Sequence, residues 1–268
     1  MKELSLNELK EIEMETLKMF HAFCVEHNIR YYLAFGTLLG AIRYKKFIPW
    51  DDDVDLLIPR EDYDRLLTLF QDNEKYRLYS YERNPDYHFP FAKLCDMTTR
   101  KVETAYPKAK IELGVELDLF PLDYFDNDIE VAKKEVKRIK GYMNRLGYTK
   151  VDKLHIKNPL KLVAWSVIVA YNKLLGGGYF VKKIMKECRK EEQKGSAYMG
   201  AKAWCIWGER GIIPADVFSE TIEIEFEGEK FFAPKDYDTY LTCMYGDYLP
   251  EPPVEKRKSH HFFTAYKL

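Results

Sequence analysis

Four aspartates fall within five residues, Asp51-Asp52-Asp53-Val54-Asp55, hemmed in by Trp50 on one side and Leu56-Leu57-Ile58 on the other. Apolar flanks this tight predict a buried strand. On a strand Asp51, Asp53 and Asp55 share one face, with Val54 and Leu56 on the other. Like charges packed together at a sheet end repel and raise their own pKa values. A hard divalent cation relieves that repulsion. Two or three carboxylates suit Mg²⁺, which keeps coordination positions for phosphate oxygens. A solvated acidic turn is the competing reading, and the apolar flanks weigh against it. An EF-hand loop starting at Asp51 fails, because Leu56 stands where glycine is required, Pro59 lies inside the loop and Asp62 replaces the closing glutamate. An Asp-x-Asp that holds a nucleotide-sugar diphosphate through a metal stays open.

A third carboxylate would complete a phosphoryl-transfer centre. Asp118, in the apolar run Gly114-Val115-Glu116-Leu117-Asp118-Leu119-Phe120 that Pro121 is expected to stop, is the leading choice. A charge there is costly without a partner. Glu116 lies on the same face and is the reserve. Gly36-Thr37, at a strand-to-helix junction, offers backbone N–H groups and a hydroxyl to an anion.

The remaining pattern mixes helices with strands. Ser5-Leu6-Asn7-Glu8 reads as a capping box, followed by Leu6, Leu9, Leu17, Phe20 and Cys24 at helical spacing up to Asn28. Arg30–Phe35 and Asp53–Ile58 read as strands. A short helix from Leu38 to Arg43 and helices over 61–70, 128–146 and 159–192 follow, the last interrupted by Gly176-Gly177-Gly178. Thr221–Phe226 and Lys230–Ala233 form a hairpin, and 236–245 a last short helix. This predicts a mixed α/β fold, a sheet covered by helices and not a bundle or a sandwich.

Lys and Arg number 42 against 43 Asp and Glu, a net charge of −1 that argues against a nucleic-acid binder. Five scattered cysteines without a Cys-x-x-Cys pair indicate neither disulfides nor structural zinc, and fit a reducing cytoplasm. The start, Met1-Lys2-Glu3-Leu4, is charged and amphipathic, unlike an apolar signal sequence. The even charge hides an asymmetry: residues 131–194 hold 17 Lys/Arg against 5 Asp/Glu. Within them, Leu160–Tyr171 is apolar, carries Trp165, and has lysines on both sides. It reads either as a buried helix or as an element over 160–190 resting on the inner face of the cytoplasmic membrane.

The run Tyr32-Leu33-Ala34-Phe35-Gly36-Thr37-Leu38-Leu39-Gly40-Ala41-Ile42-Arg43, then Phe47-Ile48-Pro49-Trp50-Asp51-Asp52-Asp53-Val54-Asp55, closely resembles the LicD family. That family is similar to fukutin-type ribitol-phosphate transferases, within the nucleotidyltransferase-fold superfamily. Phe91-Ala92-Lys93-Leu94, Glu116–Asp123, Tyr245-Gly246-Asp247-Tyr248 and Pro252-Pro253 also match. Tyr44-Lys45-Lys46 stands where relatives often show His and Gly.

The resemblance implies a nucleotidyltransferase-fold core over 1–130, a basic helical insertion over 131–200 and a C-terminal part, 201–268, completing the core and active site. It implies transfer of a phospho-alcohol, typically phosphocholine from CDP-choline, to a hydroxyl of a surface glycan such as teichoic acid or lipopolysaccharide. The acceptor can be lipid-linked. By the resemblance Gly36 and Thr37 meet phosphate, and Asp53, Asp55 and Asp118 are catalytic and hold Mg²⁺, with Mn²⁺ as the alternative metal. Asp51 is a further ligand or orients the others. Arg43 and Lys93 are candidate phosphate partners, with surface salt bridges as the competing reading. His260 and His261 would contact donor or acceptor, or lie in a solvated tail. The rival functions are transfer of the NMP itself and an inactive module that binds nucleotide or glycan. Twenty Tyr, 16 Phe and 4 Trp are too many to single out a choline cage, so Tyr31, Tyr87, Tyr106, Trp204 and Trp207 are equal candidates.

Overall fold

The computed structural model describes residues 1–103, 111–152, 156–190, 193–257 and 263–268. Tyr106, His260 and His261 lie outside the described residues.

In chain order the elements are β1 (Lys2–Glu3), α1 (Leu6–Glu26), β2 (Tyr32–Leu33), α2 (Phe35–Tyr44), β3 (Val54–Pro59), α3 (Arg60–Leu69), β4 (Tyr76–Tyr79), β5 (Ala92–Glu103) and β6 (Leu113–Tyr124). The basic region gives α4 (Ile129–Lys150), α5 (Pro159–Leu175) and α6 (Gly177–Cys188). Then come β7 (Tyr198–Gly200), an irregular helical stretch over Lys202–Gly211, β8 (Ile213–Pro214), β9 (Thr221–Phe226), β10 (Glu229–Pro234), α7 (Tyr237–Tyr245) and β11 (Phe263–Lys267). The main sheet runs β1-β11-β5-β6-β3-β2, with β4 beside β11 on the free edge of β5, and β7 on the far end of β6. β3 and β6 are parallel and the other pairings antiparallel, so the sheet is mixed, as expected.

The capping box forms as read: the Glu8 backbone N–H donates to Ser5 Oγ, and the Glu8 carboxylate accepts from the Ser5 N–H at 2.9 Å. Leu9, Leu17, Phe20 and Cys24 are buried along α1, whereas Leu6, grouped with them by spacing, is exposed. The predicted strand over 30–35 shrinks to β2, because the chain turns at Phe35 (φ 44°) and α2 begins there. Pro121 does not stop β6. Opposite it the β5 pairing has ended at Leu119 and the β7 pairing begins at Asp123, so that edge asks for no N–H from position 121.

Two large apolar cores form among the described residues. The larger lies between the sheet, α1, α2, α7 and the β9–β10 hairpin. The smaller, built from Phe125, Val136, Ile139, Phe180, Ile184 and their neighbours, sits under α4 and α6. The basic region is pinned to the sheet by a buried polar knot. Lys202 Nζ meets Glu135 at 3.1 Å and donates to Gln193 and to the Tyr124 carbonyl at 3.0 Å.

Candidate active site

Three neighbouring strands bring the central groups together. The β3–β6 register sets Asp55 opposite Asp118, and the β5–β6 register sets Lys93 on the other side of Asp118. Paired positions point to one face of the sheet, so Asp55, Asp118 and Lys93 form a row there. Asp51, Asp52 and Asp53 precede β3 in a loop, not in the strand as expected. The Asp51 N–H closes a turn on the Ile48 carbonyl at 3.0 Å, which keeps the chain from extending until Val54. Even so, one carboxylate oxygen from each of these three aspartates lies within 4.8 Å of the others.

The row is electrostatically uneven. Burial pushes the Asp55 carboxyl well above the usual range, and the charges of Asp53, Asp118 and Asp51 push it further, against Lys93. Asp53 and Asp118 therefore both lie within electrostatic reach of Asp55. Lys93 is buried and pairs with Asp118 at 2.5 Å and Glu116 at 2.8 Å. Lys101 holds the same Glu116 oxygen at 2.6 Å. Burial would raise Glu116, but Lys101 and Lys93 outweigh it and bring the carboxyl down to about 2. Lys93 is thus no surface salt bridge; its charge is shared by two acids.

Glu13 of α1 is a member that the sequence reading missed. It is buried, and burial with the charges of Asp53, Glu116 and Asp52 raises its carboxyl, partly offset by Lys101. Its Oε2 has no hydrogen-bond partner. The signal was present: Glu13 occupies the apolar stripe between Leu9 and Leu17, four residues from each.

Gly36 and Thr37 sit in the first turn of α2, directly against β3. Thr37 Oγ1 accepts the Asp55 N–H at 2.9 Å, and the Ala34 N–H donates to the Asp55 carbonyl at 3.0 Å. A Cβ on Gly36 would collide with Oδ2 of Asp51, and one on Gly40 with the backbone of Lys46 and Ile48. Glycine at 36 therefore lets the Asp51 carboxylate stand over the start of α2. Phe35 carries the strained junction: its N–H donates to the Tyr240 hydroxyl at 3.3 Å, and its ring stacks on Trp207.

Arg43 is not brought to the aspartates. Its guanidinium donates to the carbonyls of Tyr248 and of Pro250, the latter at 2.8 Å, and Tyr44 donates to Glu251 at 2.8 Å. Arg257 lies over the Trp50 ring at 5.6 Å. The C-terminal segment is thereby strapped across α2 and the aspartate loop. Tyr245 borders the cluster, its hydroxyl raised by burial, by Tyr240 and by Asp55, Asp51 and Asp53, and its ring meets Trp207 edge-on at 5.1 Å. Trp204 lines a narrow apolar cleft with Trp207 and Phe35, whereas Tyr31 and Tyr87 are core residues.

The donors at this centre are all carboxylate oxygens, and Asp55 resists ionising there without a counter-charge. That chemistry fits a hard divalent cation. Among the described residues the closest set of carboxylates is that of Asp51, Asp52 and Asp53, with Asp55 and Asp118 paired across the strands that follow.

A LicD/FKTN/FKRP nucleotidyltransferase domain matches residues 28–168. Over its whole length the chain is similar to a lipopolysaccharide cholinephosphotransferase, LicD, of Haemophilus influenzae, with 31% identity across 100% of both chains. Uncharacterized proteins of Rickettsia typhi and Rickettsia prowazekii match shorter stretches, 39% identical over 62 residues and 44% over 48, or 23% and 18% of this chain. Those two matches cover 20% and 18% of the rickettsial proteins. With its domain match over more than half of its length and an end-to-end relative, this chain belongs to the LicD family.

Proposed function

We propose that the protein is a phosphotransferase that moves phosphocholine from CDP-choline to a hydroxyl of a surface glycan, lipopolysaccharide being the acceptor class named for its Haemophilus relative. One observation carries the reading: Asp55 and Asp118 stand in register on parallel strands, with Thr37 tying Asp55 to the start of α2, in a chain that aligns end to end with a cholinephosphotransferase. Bound at Asp53, Asp55 and Asp118, Mg²⁺ would supply charge neutralisation for the donor's diphosphate. The residues do the rest by position. Lys93 holds Asp118 in place and keeps the row from carrying uncompensated negative charge. Thr37 fixes the backbone of Asp55. Tyr245, which borders the aspartates, and Trp207, packed edge-on against it, would offer an aromatic surface suited to a quaternary ammonium.

The acceptor hydroxyl attacks the choline-bearing phosphorus in line, the phosphoanhydride bond breaks, CMP leaves and one proton is released to solvent. A screen of CDP-choline, CDP-ribitol, CDP-glycerol and nucleotide sugars with a glycan acceptor tests this. The expected result is CMP formation from CDP-choline, with phosphocholine on the glycan and at least about a 100-fold loss in Asp55→Asn. Pyrophosphate released from CTP with NMP on the acceptor would replace this reading with NMP transfer. Nucleotide binding without turnover of any donor would make the protein a binding module.

A further inference from the structure

The apolar stretch of the basic region is α5, which packs on α4 along one side, where Trp165 meets Tyr148 edge-on at 5.4 Å, and is otherwise exposed. Of the 17 residues of α5, only Val169 and Asn172 are buried, so the buried-helix reading does not hold. The outward side is an unbroken stripe: Leu160 (82% exposed), Val163 (65%), Val167 (64%), Tyr171 (58%) and Leu174 (84%). At 100° per residue these five fall within an arc of about 80° along about 21 Å of helix. Lys161 and Lys173 stand on the two shoulders of the stripe, about 80° beyond either edge, and both are exposed. Lys182, Lys183 and Lys186 are exposed on the following helix, α6.

We propose that α5 is a membrane-docking element that lies in the headgroup region of an anionic phospholipid surface. Its stripe would enter the acyl boundary, with Lys161 and Lys173 reaching back to lipid phosphates. The helix lies on the surface, since no helix among the described residues is long and apolar enough to cross a membrane. Charge selects lipid over a second copy of the chain. Residues 131–194 carry 17 Lys/Arg against 5 Asp/Glu, so pairing two copies through α5 brings two basic regions together. One helix stripe also offers far less than the roughly 800 Å² per partner of a stable protein interface. An anionic bilayer reverses both terms. The inference holds whatever reaction the aspartates perform.

Sedimentation of the full chain with vesicles tests it. The protein should pellet with vesicles of phosphatidylcholine and phosphatidylglycerol at low salt, and several-fold less with phosphatidylcholine alone. Val163→Ser with Val167→Ser should weaken partitioning by about tenfold per residue. Lys161→Gln and Lys173→Gln should each cost about fivefold, on the anionic vesicles only. Because these side chains face solvent, thermal melting should not change; Leu174→Ser gives an independent second variant. Failure to pellet with anionic vesicles, or equal pelleting of the serine variants, overturns the proposal. A wild-type dimer that the serine pair turns into a monomer would assign the stripe to a second copy instead.

Discussion

Replacing Lys93 with methionine isolates the charge that holds the row of acids together, since methionine keeps the apolar stem. In the folded protein that charge is shared at 2.5 Å with Asp118 and 2.8 Å with Glu116. Without it Glu116 keeps only Lys101, at 2.6 Å, and Asp118 stands beside Asp55 with no cation between β5 and β3. Breaking a buried ion pair from one side costs about 3–5 kcal/mol. At about 2–4 °C per kcal/mol for a chain of this size, the melting temperature should fall by about 6–20 °C. Circular-dichroism melts at neutral pH, with chelator present so that no metal compensates, measure this directly. Adding Glu116→Gln removes one of the stranded charges and should restore a substantial part of the loss, a coupling that a double-mutant cycle reads. A melting point within about 1 °C of wild type, or no relief from Glu116→Gln, would refute the claim that Lys93 is the electrostatic keystone.

Four further outcomes follow from the same geometry. Glu116, held at about 2 against an ordinary 4.5, contributes stability that is full above about 4.5 and lost as pH falls towards 2; Glu116→Gln should flatten that acid limb in melts taken across the range. Glu13 works in the opposite sense, its raised carboxyl destabilising the fold at neutral pH, so Glu13→Gln should raise the metal-free melting temperature by about 2–4 °C. Gly36→Ala drives a methyl into the Asp51 carboxylate and should cut donor turnover by at least about tenfold with little change in melting, read by CMP release. Arg43→Ala frees the carbonyls of Tyr248 and Pro250, so limited proteolysis should open the segment 249–257 while the sheet stays protected.

Much of the site was legible because it is local in sequence: Gly36, Thr37 and the four aspartates up to Asp55 lie within twenty residues, and the apolar flanks of Asp55 and of Asp118 announce β3 and β6. β5 was legible only as the short motif around Lys93. Its Lys93 and Lys101 break the apolar alternation, and what makes those residues tolerable, the pairing with Glu116 and Asp118, is formed across strands. Glu13 was hidden for the same reason, since its neighbours Asp53 and Glu116 are about 40 and 100 residues away. Arg43 shows the converse. A guanidinium beside a phosphate motif invites a phosphate partner, but the fold returns the C-terminal segment to α2, and backbone carbonyls take its donors. For α5, sequence left a buried and an interfacial reading open, and the exposure of its outward side removes the buried one.

Titration of the full chain with Mg²⁺ by calorimetry, repeated with Mn²⁺ by electron paramagnetic resonance, reaches the claim on which the rest stands. The wild-type protein should bind one divalent ion at the acidic centre. Asp55→Asn and Asp118→Asn should each weaken binding by at least about tenfold, while Asp216→Asn, an exposed acid on the turn after β8, should leave it unchanged. Unaltered affinity in both variants would contradict a metal centre at Asp53, Asp55 and Asp118.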